Sequence, residues 1–160
     1  MNWTIAVRPL RRAAWAVLIG CLVVLAGRSI QTDAATPEQA PPLAAGQARV
    51  WFLHLLLPGT AQHPPMIYVN GAPIAPSPQG TAFYRDFAPG QYVFTVENCL
   101  PEPQTSQSMT LRPNTQFAIE VTSDENSAWD CYPSQISYLR QVQPQRVPYL
   151  FAQVNYLGPK

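Results

Sequence analysis

Charged residues are scarce in this chain, and their scarcity excludes several classes of protein. Lysine and arginine number 10 and aspartate and glutamate 9, so only 12% of the 160 residues are charged. Long solvated helices need more charge than this, and 18 prolines would interrupt them, so the composition favours short strands. Residues 1–34 hold four arginines and one aspartate, and removing them changes the net charge from +1 to −2. A mildly acidic body lacks the basic field that nucleic acid requires, so we expect no nucleic-acid partner.

Residue types that hold metals or carry out catalysis are also few. The chain has two histidines, His54 and His63, and three cysteines, and no cluster of ligands at metal-binding spacing. The acidic stretch 124–130 lacks the glycine and the final glutamate of a calcium-binding EF-hand loop. No nucleophile elbow, glycine-rich phosphate loop or zinc-protease signature occurs. We therefore predict no catalytic residue, no metal and no cofactor, and we interpret His54 as a hydrogen-bonded histidine within a strand.

The N-terminal segment combines positive charge with an apolar run. Arg8, Arg11 and Arg12 precede the uncharged apolar residues 13–27, which is the pattern of a bacterial signal peptide. The run is shorter than the roughly 20 apolar residues of a membrane-spanning helix. We therefore expect export, with the protein in the periplasm or on the periplasmic face of the cell envelope.

Three fates of this segment stay open. Cleavage after Thr32-Asp33-Ala34 would release a soluble protein. Leu18-Ile19-Gly20-Cys21 resembles a lipobox, in which case Cys21 would carry the lipid, although an apolar run continues after it. An uncleaved anchor is the third reading. Contact with a membrane is expected only through this segment or its lipid.

The rest of the chain divides into a linker and one domain. Residues 35–47 are rich in proline, alanine and glutamine and show no periodicity, so we predict a linker before a domain at 48–160. Residues 49–57 are apolar on both alternating faces, which predicts a central strand buried on both sides. Asn70-Gly71 predicts a type I′ hairpin turn, and Pro73 places the returning strand at a sheet edge.

The later segments also alternate as strands do. Residues 81–87 and 91–97 predict a second hairpin around Pro89-Gly90, and 109–111 and 117–121 predict further strands. We interpret 136–142 as a strand and 149–157 as the closing strand. The predicted fold class is all-β, a small antiparallel β-sandwich.

Part of this pattern resembles a known group of domains. Four segments carry it: Ala48-Arg49-Val50-Trp51-Phe52, Pro65-Met66-Ile67-Tyr68-Val69-Asn70-Gly71, residues 83–96 and Leu111-Arg112-Pro113-Asn114-Thr115. The order and spacing of these segments resemble bacterial exported domains of unknown function related to the PEGA and carboxypeptidase-regulatory-like β-sandwiches. The resemblance covers roughly residues 48–122. It implies a transthyretin-like or carboxypeptidase-regulatory-like sandwich and an envelope location, and it supplies no catalytic residues.

Cys99 and Cys131 predict a disulfide, because an exported protein folds under oxidising conditions. The alternative is two inert buried thiols. A redox role is disfavoured because no Cys-X-X-Cys pair occurs.

Aromatic residues are numerous enough that some are expected to point outward. We hypothesise an exposed patch of Tyr84, Trp129 and Tyr132 that binds another envelope protein or a glycan. The alternative is that these rings fill the inside of the sandwich. The expected function is therefore a non-catalytic envelope protein with a structural, accessory or protein-binding role. A glycan-binding or small-ligand-binding module is the alternative, and a hydrolase whose site is assembled from distant residues is third.

Overall fold

The computed structural model describes residues 40–57, 63–98, 105–124 and 136–160. Most of these residues lie in short strands, and no helix within those ranges is long and apolar enough to cross a membrane. In chain order the elements are β1 Ala48–His54, β2 Met66–Val69, β3 Ala72–Pro76, β4 Thr81–Phe87, β5 Gly90–Val96, β6 Ser106–Leu111, β7 Gln116–Asp124, β8 Ile136–Gln141, a 3-10 helix Pro144–Arg146, α1 Val147–Phe151 and β9 Asn155–Pro159.

The strands form two sheets, which confirms the predicted all-β, sandwich-like fold. The five-stranded sheet has the order β8-β7-β1-β4-β9, and the four-stranded sheet has the order β3-β2-β5-β6. The four-stranded sheet is antiparallel throughout. The five-stranded sheet is mixed, because β1 runs parallel to β7 and β4 runs parallel to β9. Parallel neighbours are joined by long crossovers, which the pattern of a single strand does not record.

Strand β1 lies at the centre of the five-stranded sheet and is buried on both faces, as its sequence predicts. All seven of its residues are buried. Val50 and Phe52 point into the inner core between the two sheets, while Trp51 and Leu53 point into an outer core on the other face. The strand ends at His54 although the apolar run continues, and Leu56 is 69% exposed.

The inner core is built around three phenylalanines from both sheets. The ring of Phe52 lies 5.0 Å from that of Phe83 on the neighbouring strand and 5.7 Å from that of Phe94 in the opposite sheet. All three side chains are fully buried. Burial of one such ring contributes roughly 1.5–3 kcal/mol, so these contacts join the two sheets.

The outer core lies on the outer face of the five-stranded sheet, where α1 packs. The predicted closing strand over residues 149–157 is confirmed only from Asn155, where β9 begins, and is wrong before it, because α1 extends to Phe151. Leu150 and Phe151 are consecutive and both buried in this core. Consecutive residues of a strand point to opposite faces, whereas a helical turn places both on its packed side. Pro148 is compatible with α1 because it occupies the first turn.

The predicted hairpin between β2 and β3 is confirmed. The backbone of Asn70 has a φ of 49° and that of Gly71 a φ of 81°, as a turn with two left-handed residues requires. The side chain of Asn70 also accepts a hydrogen bond from the backbone N–H of Val93 at 2.9 Å. Strand β3, which contains Pro73, lies at the edge of its sheet as expected.

The predicted hairpin between β4 and β5 is wrong, although both segments are strands. Strand β4 pairs with β1 and β9, whereas β5 pairs with β2 and β6 in the other sheet. The chain crosses between the sheets at residues 88–89, so a turn signal there marks a sheet change. Alternation identifies the buried face of a strand but not its neighbour. The strand predicted at 136–142 is confirmed by β8.

Candidate functional site

One sheet edge, β6, has backbone groups that point away from the sheet. The N–H of Val96 donates to the carbonyl of Thr105 at 3.1 Å, which fixes the register of the β5–β6 ladder. From Thr105 onward, every second residue of β6 makes the hydrogen bonds with β5. The intervening residues Ser106, Ser108 and Thr110 therefore direct their N–H and C=O groups to the open side. Across the described ranges, no backbone hydrogen bond to another strand engages these groups.

The side chains of β6 alternate in the same way. Ser106, Ser108 and Thr110 are exposed on the outer face, whereas Met109 is 7% exposed and faces the inner core. The amide of Gln107 donates to the outward carbonyl of Ser108 at 3.3 Å, a long bond that an added strand could replace. A concavity of 440 Å³ lies over the β5–β6 pair, lined by Gln91, Tyr92, Val93, Ser108, Met109 and Thr110.

The other three edge strands carry features that oppose pairing with a further strand. Strand β3 contains Pro73 and Pro76, and proline cannot donate to a ladder. Strand β9 ends in Gly158, with a φ of 89°, and Pro159. Strand β8 carries the exposed charge of Arg140, and charge on an edge disfavours strand addition. Strand β6 has no proline, glycine or charged residue, so it is the least protected of these edges.

A second concave feature is a cleft of 400 Å³ on the outer face of the five-stranded sheet. Its walls are mostly apolar, and two glutamine amides are its main polar groups. The indole N–H of Trp51 donates to Gln116 Oε1 at 2.9 Å across one wall. No charged side chain lines the cleft, so it suits a neutral ligand. The lining residues are Trp51, Gln116, Phe117, Ala118, Gln141, Val142, Pro144, Val147 and Phe151.

Arg49 is a buried cation beside the outer core. Its side chain is 3% exposed and forms two hydrogen bonds with Asp86, at 2.7 and 2.8 Å, across the β1–β4 pair. It also donates to the carbonyl of Pro41 at 2.7 Å, and its Cζ lies 3.8 Å from the Tyr84 ring centroid. The hydrogen bond with Asp86 raises the pKa of Arg49. Burial raises the pKa of Tyr156, on the same face, to about 12, so that phenol stays neutral.

His54 belongs to a buried polar chain between β1, β7 and β8. Its Nδ1 donates to the carbonyl of Ser77 at 2.7 Å, which leaves Nε2 to accept from the Ser123 hydroxyl at 3.3 Å. The Ser137 hydroxyl lies 3.0 Å from that of Ser123. Burial lowers the pKa of His54, and the bond with Ser77 opposes this in part. His54, Ser123 and Ser137 are at most 1% exposed, so this histidine–serine contact is buried between three strands.

The predicted site residues are only partly within the described ranges. Tyr84 is 4% exposed and packs between Arg49 and Trp51, so it cannot contribute to an exposed aromatic patch. The alternation of β4 correctly places Tyr84 on the outer face of the five-stranded sheet. The sequence did not predict that α1 packs on this face. Cys21, Cys99, Trp129, Cys131 and Tyr132 lie outside the described residues, and their predicted roles stay predictions.

Asn98 and Ser137 provide one contact that bears on the predicted disulfide. Asn98 Nδ2 donates to the carbonyl of Ser137 at 2.7 Å, and the N–H of Ser137 donates back to Asn98 Oδ1 at 2.5 Å. These bonds bring the residue before Cys99 next to a residue six positions after Cys131. The six-residue separation of Cys131 from Ser137 is long enough to allow Cys131 to reach Cys99.

Metal ligands do not converge in the part of the chain that the structure describes. Within those ranges, no group of three or more histidine, cysteine, aspartate or glutamate side chains could hold a metal ion. Glu120, the buried acidic side chain in those ranges, pairs with Arg140.

Comparisons with known proteins give little further information. No family model matches the chain, and no curated protein matches it. Among solved structures, the chain is similar to "CS-rosetta determined structures of the N-terminal domain of AlgF from P. aeruginosa", with 17% identity and a TM-score of 0.37. The match covers 64% of this chain and 100% of that one. A likeness at this TM-score carries no argument about the function of this chain.

Proposed function

We propose that this protein is an exported, non-catalytic accessory domain of a bacterial cell envelope that binds protein by accepting an extended strand at β6. The observation that carries this proposal is the edge position of β6, which among the described strands pairs with β5 alone. Three residues there direct backbone donors and acceptors outward, and they sit in a strand without charge, proline or glycine. An extended segment gains affinity from such main-chain hydrogen bonds, and its side chains gain specificity from an adjacent groove.

The non-catalytic part of the proposal is supported by the contacts of the buried polar groups. Arg49 is engaged by Asp86, and Glu120 by Arg140. His54 and Ser123 would be the obvious base and nucleophile, but both are buried between strands. Catalysis requires the reacting group to meet its substrate, so these pairs are better explained as contacts that fix the sheets.

The exported part of the proposal is supported by the charged start and apolar run of residues 1–34. An intact mass of the protein isolated from bacterial envelopes tests it. A mass beginning at Ala35 is expected for a soluble periplasmic protein, and a mass beginning at Cys21 with acyl chains is expected for a lipoprotein. An unprocessed chain found only in the cytoplasm would contradict export.

Photo-cross-linking in intact cells tests strand binding at β6. A photoreactive phenylalanine analogue is placed at Ser108 in one variant and at Ala72, which is exposed on the edge strand β3, in the control. We expect a protein adduct, identified by mass spectrometry, from position 108 and none from position 72. Adducts that are absent from position 108, or equal at the two positions, would contradict the proposal.

A second candidate function is the binding of a small neutral ligand in the cleft beneath α1. The observation that favours it is a concave site of 400 Å³ with apolar walls, two amides and no charge. Neutral sugars and uncharged aromatic compounds fit this chemistry better than anions do. The cleft and the β6 edge lie on different sheets, so the two functions are compatible.

Thermal shift measurements test the cleft. A ligand that binds the folded state raises the unfolding midpoint by mass action. We expect a neutral sugar or aromatic compound to raise the midpoint of the native protein and not that of Val147→Phe, which fills the cleft from a half-buried position. Equal shifts in both proteins would indicate binding elsewhere.

A further inference from the structure

We infer that the strand added at β6 is the β6 strand of a second copy of this chain, paired antiparallel about a twofold axis at Ser108. This inference rests on the proposed strand-binding function and names the partner at the same edge. It follows from the register of the outward backbone groups, from the side chains beside them and from the lack of charge along the strand.

The spacing of the outward residues is symmetric about Ser108. An axis there places Ser108 opposite its own copy and Ser106 opposite Thr110, and the same pairs form again on the other side of the axis. All three outward residues then make hydrogen-bonded pairs, giving about six main-chain hydrogen bonds. Moving the axis by one residue breaks this match, because either Thr110 or Ser106 then faces a residue outside β6. The register centred on Ser108 therefore uses every outward group of the strand.

The side chains that meet in this register are compatible with one another. Ser106, Ser108 and Thr110 are all exposed on the outer face, and hydroxyl pairs across strands can form hydrogen bonds. No like charges face each other, because the strand carries none. Strand β8 instead carries the exposed charge of Arg140, which disfavours strand addition, and prolines block the same arrangement for β3.

The inner side of the strand fits the same arrangement. Met109 is 7% exposed at the rim of the inner core. A second copy in this register would continue the four-stranded sheet and cover the rim of each inner core with that of its partner. The strand of each copy would then lie inside a sheet and no longer at an edge, which removes the open backbone groups from water.

The size of this contact predicts a weak association in dilute solution. Paired strands of six residues bury less than the roughly 1,200 Å² of a typical stable complex. Molecules held at one membrane surface have a high effective concentration, which favours a weak contact. The dimer is therefore best detected by trapping it covalently.

Cysteine cross-linking provides a sharp test, because the geometry sets different distances for neighbouring positions. In a hydrogen-bonded antiparallel pair the Cα atoms of Ser108 and its copy lie about 5.5 Å apart, within the disulfide range. The Cα atoms of Ser106 and its copy lie roughly 14 Å apart, which is too far. Ser108→Cys and Ser106→Cys are made in the full-length chain, which is expressed and exported in bacteria and oxidised in isolated envelopes.

The expected result is a disulfide-linked dimer from Ser108→Cys at a yield at least about tenfold above that of Ser106→Cys and of the unmodified chain. Mass spectrometry of the linked peptide identifies position 108 and excludes links through the native cysteines. Equal yields from both variants would indicate random collision and overturn the inference. No dimer from Ser108→Cys would also overturn it.

A second substitution tests whether strand pairing causes the cross-link. Thr110→Pro in the Ser108→Cys background removes an outward N–H without removing a β5–β6 hydrogen bond, so the fold should keep its unfolding midpoint while the dimer yield falls. An unchanged yield would contradict pairing through β6.

The two cross-linking experiments distinguish the inference from the proposed function. If Ser108→Cys gives no dimer while the photo-cross-linker at Ser108 captures a different envelope protein, the second-copy inference fails and strand binding stands. If both fail, strand binding fails too.

Discussion

The guanidinium Cζ of Arg49 lies 3.8 Å from the centre of the Tyr84 ring, and the same guanidinium forms two hydrogen bonds with Asp86. Arg49 is 3% exposed and Asp86 is 30% exposed. The cation is therefore almost out of water and depends on its carboxylate and on the ring face.

Replacing Asp86 by asparagine is expected to lower the free energy of unfolding by about 3 kcal/mol, because it leaves a buried cation without its counter-charge. Urea denaturation measures the change. The double variant Arg49→Met with Asp86→Leu, which removes both charges, is expected to recover much of the loss. A double variant less stable than Asp86→Asn would argue against an uncompensated charge as the cause.

Stability is expected to fall as the pH decreases below 6.5, because burial lowers the pKa of His54 from that ordinary value. The unfolded chain binds the proton at a higher pH than the folded chain does, so the stabilisation is complete above 6.5 and is lost toward the lower folded-state pKa. Urea unfolding between pH 7.5 and 5.5 measures this slope above the ordinary carboxylate range. His54→Gln should reduce the slope. A slope unchanged in His54→Gln would assign it to other groups.

Gly71→Ala is expected to lower the free energy of unfolding by about 1 kcal/mol, because the backbone there has a φ of 81° that alanine adopts only with strain. Gly90→Ala is the matched control. A Cβ at Gly90 would meet the Tyr92 ring at an ordinary 3.5 Å, so we expect a change within about 0.5 kcal/mol. Thermal unfolding of both variants measures the difference, and equal effects would refute the role of the left-handed turn.

A disulfide between Cys99 and Cys131 would close a loop of about 33 residues and stabilise the fold by roughly 3–4 kcal/mol. The hydrogen bonds between Asn98 and Ser137 support this prediction by holding the two flanking segments together. Alkylation of the non-reduced protein followed by intact mass measurement should find both thiols protected. Two alkylated thiols at these positions would establish the alternative, a pair of free cysteines.

Much of the fold was predictable because strand formation depends on local alternation and turn chemistry. The burial of Phe52 and Trp51 on opposite faces of β1, and the turn at Asn70-Gly71, follow from neighbouring residues. The segment at Leu150-Phe151 was mispredicted because a short apolar run with a proline suits both a strand and the first turn of a helix. Only packing on the outer face of the sheet distinguishes them.

The candidate site was less predictable from sequence. The residues of β6 are serine, glutamine, methionine, threonine and leucine, and none of them carries a catalytic or binding signal. Their significance depends on the position of β6 at a sheet edge. That position can be recognised only when the order of the strands in the sheet is known. The prediction that Tyr84 belongs to an exposed aromatic patch was wrong for a related reason. The helix α1, which covers the outer face of its sheet, comes from a segment more than 60 residues away in the chain.

The sequence by itself determined the β class, the buried faces of the strands and the hairpin turn, because these depend on side-chain alternation and on the backbone freedom of a few residues. Only the tertiary structure decided which strands pair, which of them run parallel and which of the described strands lie at the sheet edges. Such pairings join residues far apart in the chain, and their free energy comes from contacts that no local pattern contains.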